Sequence, residues 1–351
     1  MIRLNMINNR QKKLIELIRK NKGISSSFLQ KELKEKVSLI TVKRDLHNLV
    51  KLGFISTIGA GRSSGYEITT LGKLENPLEA KEYCSLEQDK RSKEVNYNFE
   101  IFNLSKINIL TKDENKILEE STRQYNKNKK HITDTIHKKE LERFIIELSW
   151  KSSQIEGNTY SLLDTERLLK EGIESKKNTK EETIMILNHK KAFDFVLKNL
   201  KHAKKLNIAF IEEVHKILVK DLKVSYGLRK NLVGITGSNY RPLDNVHQIN
   251  EAVKKVCTIV NKLSNTYEKA LITLVGLSYI QPFEDGNKRT ARLITNAVLL
   301  GFNLAPLSYR NVNEVYYKEA MLTFYETNSI FSIKNIFIEQ YIFSCKNYNG
   351  I

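Results

Sequence analysis

The chain has 351 residues, 40% of them hydrophobic, and a formal charge of +18, so it can bury the cores of two or three domains and reads as an ordinary soluble protein. Its longest apolar stretch, 270–280, is far short of the roughly 20 residues of a membrane span, and no signal-peptide pattern opens it. Cys84, Cys257 and Cys345 are too few and too scattered for a disulfide framework or a clustered zinc site, so the expectation is a cytoplasmic protein with reduced thiols and no membrane partner.

Charge is concentrated at the N-terminus, where residues 1–70 hold 14 Lys and Arg against 5 Asp and Glu, or +9, in a chain rich in Lys, Asn and Ile throughout. Nucleic-acid phosphate is a natural partner for such charge, because neutralising it releases condensed counterions. The spacing here predicts three helices and a hairpin. Leu14, Leu17 and Ile18 form the inner face of the first; Ser25 to Ser27 cap the second, which carries Phe28, Leu29 and Leu33; Ser38 caps the third. On that third helix Val42, Leu46, Leu49 and Val50 fall on one side and Thr41, Lys43, Arg44 and His47 on the other, and Gly53 stops it. Residues 54–58 and 66–68 read as strands around a glycine-rich turn carrying Arg62. Over roughly residues 9–72 this order resembles the winged helix-turn-helix modules of bacterial transcription regulators. The resemblance implies a DNA-binding domain in which Thr41, Lys43, Arg44 and His47 face the major groove and its phosphates, while Arg62 reaches the backbone or the minor groove. Winged helices also serve as protein-docking modules.

Residues 75–97 are rich in Glu, Lys and Ser with sparse hydrophobics, which predicts a linker with one exposed helix. Beyond it, low proline content and a 3.6-residue period predict helices over 112–125 and, after a polar break at 126–130, along a stretch holding Leu141, Phe144, Ile145, Leu148 and Trp150. The expected organisation is a domain over 1–74, a linker over 75–106, a helical segment over 107–180 and a core over 181–351.

Residues 281–292 read Gln-Pro-Phe-Glu-Asp-Gly-Asn-Lys-Arg-Thr-Ala-Arg, between a core helix and another over 293–300. The segment has the parts of a phosphate site. Pro282 ends one helix, and Asp285, Gly286 and Asn287 open the next, exposing N–H groups and a positive dipole end to an anion. Arg289 and Arg292, three apart on one face, can fork onto successive phosphates. Asp285 at the mouth would repel bare phosphates unless a divalent cation lies between them, and Mg2+ is the natural candidate.

These residues resemble the Fic family motif, His-Pro-Phe-x-Asp/Glu-Gly-Asn-Gly/Lys-Arg-x-x-Arg, at eleven of twelve positions, and the departure is Gln281 in place of histidine. The resemblance implies a mainly α fold, with a helical core carrying a small β-hairpin flap behind the winged helix-turn-helix domain. It implies an activity like that of protein adenylyltransferases, which move AMP from ATP to a protein hydroxyl with Mg2+. By the same resemblance Gly286, Asn287, Lys288, Arg289 and Arg292 bind nucleotide, Asp285 holds the metal and Gln281 occupies the general-base position. Ser152, Glu156 and Gly157 resemble the family's inhibitory Ser/Thr-x-x-x-Glu-Gly/Asn helix, whose glutamate pairs with the second arginine, here Arg292, and blocks the γ-phosphate. Gly234, Ile235, Thr236, Gly237 and Ser238 resemble its flap, which receives the target's hydroxyl-bearing segment as an added strand. His189, His202, His215 and His247 show no metal-ligand spacing and read as packing or surface residues.

An amide cannot accept a proton near neutral pH, so Gln281 removes help worth about 10² to 10⁴ in rate while leaving positioning and charge stabilisation in place. Three functions follow. One is slow transfer of AMP to an unknown protein or to the chain itself; another is DNA-bound regulation with ATP as an effector; the third is removal of AMP, with Glu156 positioning a water. A homo-oligomer is compatible with all three.

Overall fold

Side-chain caps set where the first helices begin. Asn8, Ser25 and Ser38 accept backbone N–H groups at the starts of α1 (Asn9–Lys20), α2 (Ser26–Glu32) and α3 (Leu39–Lys51). The structure is a computed structural model that describes residues 7–33, 36–59, 61, 64–91, 96–102, 109–130, 132–348 and 351. Arg62 and the expected boundary at 107 lie outside the described residues.

After α3, β1 (Ile55–Ile58) pairs antiparallel with β2 (Gly65–Ile68), Ile55 opposite Ile68 and Ile58 opposite Gly65, and Ile24 bridges Tyr66. Leu14, Ile18, Leu29, Val42, Leu46, Leu49 and Phe54 fill a core of this unit's own. Asp45 is buried in it, taking the Nε–H of Arg10 at 2.5 Å and the Nε2–H of Gln11 at 3.2 Å, and so ties α3 to α1. The opposite face of α3 leaves Lys43, Arg44 and His47 exposed and Thr41 half-buried, its Oγ1 3.0 Å from Ser38 Oγ.

α4 (Thr70–Leu74) leads into the predicted linker, which differs from the expectation of an exposed helix. α5 (Ala80–Cys84) buries Ala80 and Tyr83, and Tyr97, Ile101 and Phe102 enter the main core. The few hydrophobics of this segment are anchors, and residues 329–332 take up part of its backbone: Ile330 N–H donates to Leu74 O at 3.1 Å, Ser329 Oγ–H to Asn76 O at 2.5 Å and Ala80 N–H to Ser332 Oγ at 3.0 Å.

The main core comprises α6 (Lys112–Lys129), α7 (Asp134–Gln154), α8 (Leu162–Glu171), α9 (Lys180–Lys198), α10 (Leu200–Lys204), α11 (Ile208–Leu218), α12 (Val246–Lys262), α13 (Thr266–Ile280), α14 (Asn287–Gly301), α15 (Glu314–Thr327) and α16 (Phe331–Asn347). The expected break at 126–130 falls within α6, whose last turns are held because buried Tyr125 gives its hydroxyl to Ile351 O at 2.6 Å. α13 is buried on every side from Tyr267 to Ile280, as an all-round apolar helix must be, and α14 packs along it, with α9, α11 and α12 around the pair. Among the described residues no helix is long and apolar enough to cross a membrane.

The fold is mainly helical with one small antiparallel sheet, and among the described residues that sheet is β1–β2. The segment expected to be a flap hairpin is extended chain around a single turn, closed by Ser238 N–H to Ile235 O at 3.0 Å with Gly237 at φ +76°. Side-chain anchors at Arg229, Ser238 and Tyr240 hold it in place of a backbone ladder.

Gly72 marks the tightest approach of α4 to the sheet, since an added Cβ would lie 2.0 Å from Phe54 O and 2.9 Å from Ile68 Cγ1. Gly72→Ala is expected to destabilise the N-terminal unit by about 1–3 kcal/mol. Hydrogen exchange is the check: faster exchange in α3 with unchanged protection in α13 and α14 is the expected pattern.

Candidate functional site

α13 terminates at Gln281, which takes left-handed backbone angles (φ +50°, ψ +60°) ahead of Pro282. The chain then crosses to Gly286, also left-handed at φ +76°, which caps α14 without a side chain. The first bond of that helix runs from Thr290 N–H to Gly286 O at 2.9 Å, leaving the N–H groups of Asn287, Lys288 and Arg289 directed out of its end. A Cβ at Gly286 would meet Val219 Cγ1 at 3.1 Å in a backbone region side chains avoid, so this turn requires glycine.

Three side chains from the surrounding structure hold the loop. Arg229 donates its Nε–H to Gln281 O at 2.7 Å, further guanidinium N–H groups to Asn231 O and Leu243 O, and its backbone N–H to Pro282 O at 3.0 Å. Asn287 accepts Phe283 N–H at 2.8 Å and donates its amide to Phe283 O at 2.8 Å. Its side chain therefore shapes the loop, and only its backbone N–H is left for an anion, which narrows the expected nucleotide contact. His215 lies flat on Phe283, ring centroids 3.7 Å apart and planes 7° apart, with Nε2–H donated to Asp285 O at 2.9 Å. Burial pushes its pKa down to about 4, so the imidazole is neutral. Neither Arg229 nor His215 was singled out by sequence reading as support for this loop, because their partners are 52 and 70 residues away.

The two motif arginines are buried but differently engaged. Arg289 sets one guanidinium nitrogen 3.3 Å from Asp285 Oδ2, while its other terminal nitrogen is buried with no partner. Arg292 is engaged through all three nitrogens: Nε–H to Ser152 Oγ at 2.9 Å, one terminal nitrogen to Ser152 O at 2.7 Å and the other to Glu156 Oε1 at 2.9 Å. Glu156 is seated at the end of α7 by a turn in which Gly157 reaches φ +100° and Asn158 N–H returns to Ser153 O at 3.1 Å. Its second oxygen takes Lys288 Nζ at 3.3 Å. Burial alone would raise the Glu156 pKa, but the charges of Arg292 and Lys288 override it and hold the carboxyl at about 2. His189 on α9 is fully buried and neutral, held far below its usual pKa by burial and then by the charges of Arg292 and Arg289.

These groups line a cavity of about 370 Å³. Glu156, Gln281 and residues 284–289 form one wall, residues 233–236 of the flap another, and Tyr317 and Tyr325 a third. Gln281 donates its amide N–H to Ser278 O at 2.6 Å, which leaves the amide oxygen, an acceptor, for the cavity. Of the flap residues, Gly234, Ile235 and Thr236 line the space; Gly237 and Ser238 are tethered behind it, by Arg91 and Glu326. Arg292 and Ser152 lie behind Glu156, outside the lining, and Lys43, Arg44 and His47 occupy the separate face of α3. Among the described residues no three His, Cys, Asp or Glu side chains form a metal cage. Asp285, a single carboxylate at the mouth with 67% of its side chain exposed, fits the way Mg2+ is usually shared between one protein carboxylate and substrate phosphates.

Residues 205–299 match the model of the Fic/DOC family. In fold it is similar to Fic-1 from C. elegans, with 20% identity over 67% of this chain and 72% of that one and a TM-score of 0.60. It is also similar to a Fic domain containing signaling protein from Bacteroides thetaiotaomicron (20% identity, 66% and 95% covered, TM-score 0.56). A Fic family protein from Desulfovibrio desulfuricans shares 14% identity, with 68% and 74% covered and a TM-score of 0.56. No curated protein matches the sequence.

The Glu156 carboxyl gives a pH signature. Its folded pKa, about 2, lies below the ordinary 4.5, so the stability it contributes is fully present above pH 4.5 and is lost as pH falls through about 2. The unfolding free energies of the protein and of Glu156→Gln should differ by about 3 kcal/mol near neutrality and converge over that acid window, as measured by denaturant titration at stepped pH.

Proposed function

We propose that the cavity binds ATP, with Asp285 sharing Mg2+ with its phosphates, and that AMP transfer from it to a protein hydroxyl is restrained twice. The observation that carries this reading is the state of Arg292, whose three guanidinium nitrogens are each engaged by Ser152 or Glu156 beside an otherwise open anion site. The N–H groups at the start of α14 and the unpartnered nitrogen of Arg289 are available to two phosphates, whereas the third would need the group that Glu156 holds. Bound Mg2+ would supply charge neutralisation for the phosphates. Displacing Glu156 frees one terminal nitrogen of that guanidinium and also Lys288. The second restraint is chemical: Gln281 can accept a hydrogen bond from an attacking hydroxyl but cannot take its proton.

A second reading has its own support. Lys43, Arg44 and His47 project from one exposed face of a three-helix unit with a small sheet, and a chain that binds ATP without turning it over would serve as a DNA-bound regulator responding to nucleotide. Removal of AMP by Glu156 is disfavoured, because a carboxylate held between two cations is a poor proton acceptor.

Transfer of labelled AMP from ATP and Mg2+ separates these readings. The chain as given should label itself or a lysate protein weakly. Glu156→Gly should raise labelling, and adding Gln281→His should raise it by a further factor of about 10² or more, with Arg289→Ala as the blank. Absence of labelling in the doubly substituted chain would overturn the transferase reading; tight ATP binding without labelling would leave the regulator.

A further inference from the structure

Outside the cavity, a buried polar cluster that the nucleotide chemistry does not use surrounds Glu326 on α15. Its carboxylate is fully buried and is met from two directions. From the flap, Ser238 Oγ–H donates to Oε1 at 2.8 Å and Asn239 N–H to the same oxygen at 3.1 Å. From the connector between the N-terminal unit and the core, Tyr83 donates its hydroxyl to Oε2 at 2.9 Å and Arg91 sets a terminal nitrogen 3.7 Å from that oxygen. Arg91 reaches past the carboxylate, donating a second nitrogen to Gly237 O at 2.5 Å. Gln88 and Asn239 exchange a reciprocal pair, Nε2–H to Oδ1 and Nδ2–H to the Gln88 carbonyl, each at 2.9 Å. Just beyond, Tyr240 gives its hydroxyl to Tyr279 O at 2.8 Å and stacks on Tyr279 at 4.6 Å, fixing the chain against α13 two positions before Gln281.

Among the described residues the flap segment pairs with no strand beyond an isolated parallel bridge of Arg241 with Asn96, so these side-chain contacts take the place of a ladder in setting its register. Its cavity-lining half, 233–236, hangs between the Arg229 anchor and this cluster. A buried carboxylate with donors from two separate stretches of chain adopts one arrangement or loses a paired charge, which makes it a stiff fixing point.

We propose that Tyr83 and Arg91, acting through Glu326, and Gln88, acting on Asn239, are positioning residues that hold the flap in register for a target segment. The assignment rests on the reading that the flap docks the hydroxyl-bearing target, and it gives the connector a task in the reaction besides joining two units. No ligand or proton passes through the cluster; its effect is purely geometric, and a displacement of about 1 Å at a docking strand is enough to lose as much as 10²-fold in rate.

The test uses the full chain with Arg91→Met, Arg91→Lys and Gln88→Ala. Hydrogen exchange of the amides of 234–240 should rise at least tenfold in Arg91→Met and less in Gln88→Ala, with α13 and α14 unchanged. Arg91→Lys keeps the charge beside Glu326 and should recover part of the protection. In the Gln281→His, Glu156→Gly background, Arg91→Met should lose tenfold or more of AMP labelling of other proteins at saturating ATP, with ATP affinity within twofold and Arg91→Lys intermediate. Unchanged flap exchange in Arg91→Met overturns the proposal, as does raised exchange with undiminished labelling. Should the unsubstituted-Arg91 background label nothing, the transferase reading fails by itself, and the exchange data still decide whether the connector holds the flap. Tyr83→Phe, which deletes one hydrogen bond and retains the ring, serves as the second variant where Arg91→Met does not fold.

Discussion

A guanidinium buried without water must be paired, and Arg292 meets that requirement in a way that organises the surrounding structure. It sits on α14, yet its three hydrogen bonds reach Ser152 and Glu156 at the end of α7, 136 to 140 residues earlier. To supply them, α7 must end where it does and turn through Gly157, so the position of α7 against the central α13–α14 pair is specified by one side chain. Lys288, one turn back along α14, meets the other oxygen of the same carboxylate, so two cations of one helix converge on one anion of another.

The loop between α13 and α14 illustrates a division of labour within a short motif. Two of its side chains brace the backbone with help from α11: Asn287 spans Phe283, Phe283 stacks on His215, and His215 holds the Asp285 carbonyl. What remains for the cavity is backbone N–H and the charged groups. The neutral His215 fits this supporting role, since a charged imidazole stacked face to face on Phe283 and close to Arg289 would have to be desolvated.

Much of this was legible in the residues, for identifiable reasons. Caps such as Ser25 and Ser38 act on backbone two or three positions away, so the helix starts they dictate can be read locally. The division of α3 into a Val42, Leu46, Leu49 face and a Lys43, Arg44, His47 face follows from periodicity alone. The phosphate-like character of 281–292 was visible because glycine, acid and arginines are crowded into twelve residues. Roles that depend on distant partners were not visible. Nothing near Asn287 says that its amide closes on Phe283, and the connector was read as solvated because its anchors, Tyr83 and Arg91, are few and lack a period. The flap was read as a hairpin from its glycine punctuation, but an extended chain can be held as well by side chains from Glu326 and Arg229 as by a second strand.

That Glu156 and Arg292 belong to one polypeptide has a consequence for how any competitor for that guanidinium must behave. A carboxylate on a separate molecule could be diluted away; a tethered one is present at the same effective concentration whether the cell holds one copy of the protein or many. A free anion therefore meets a fixed handicap, equal to the fraction of time the carboxylate is away, and its apparent affinity is scaled by that fraction. The threshold is written into the geometry at the end of α7, so it is set by mutation or by a partner that moves that helix, and expression level leaves it untouched.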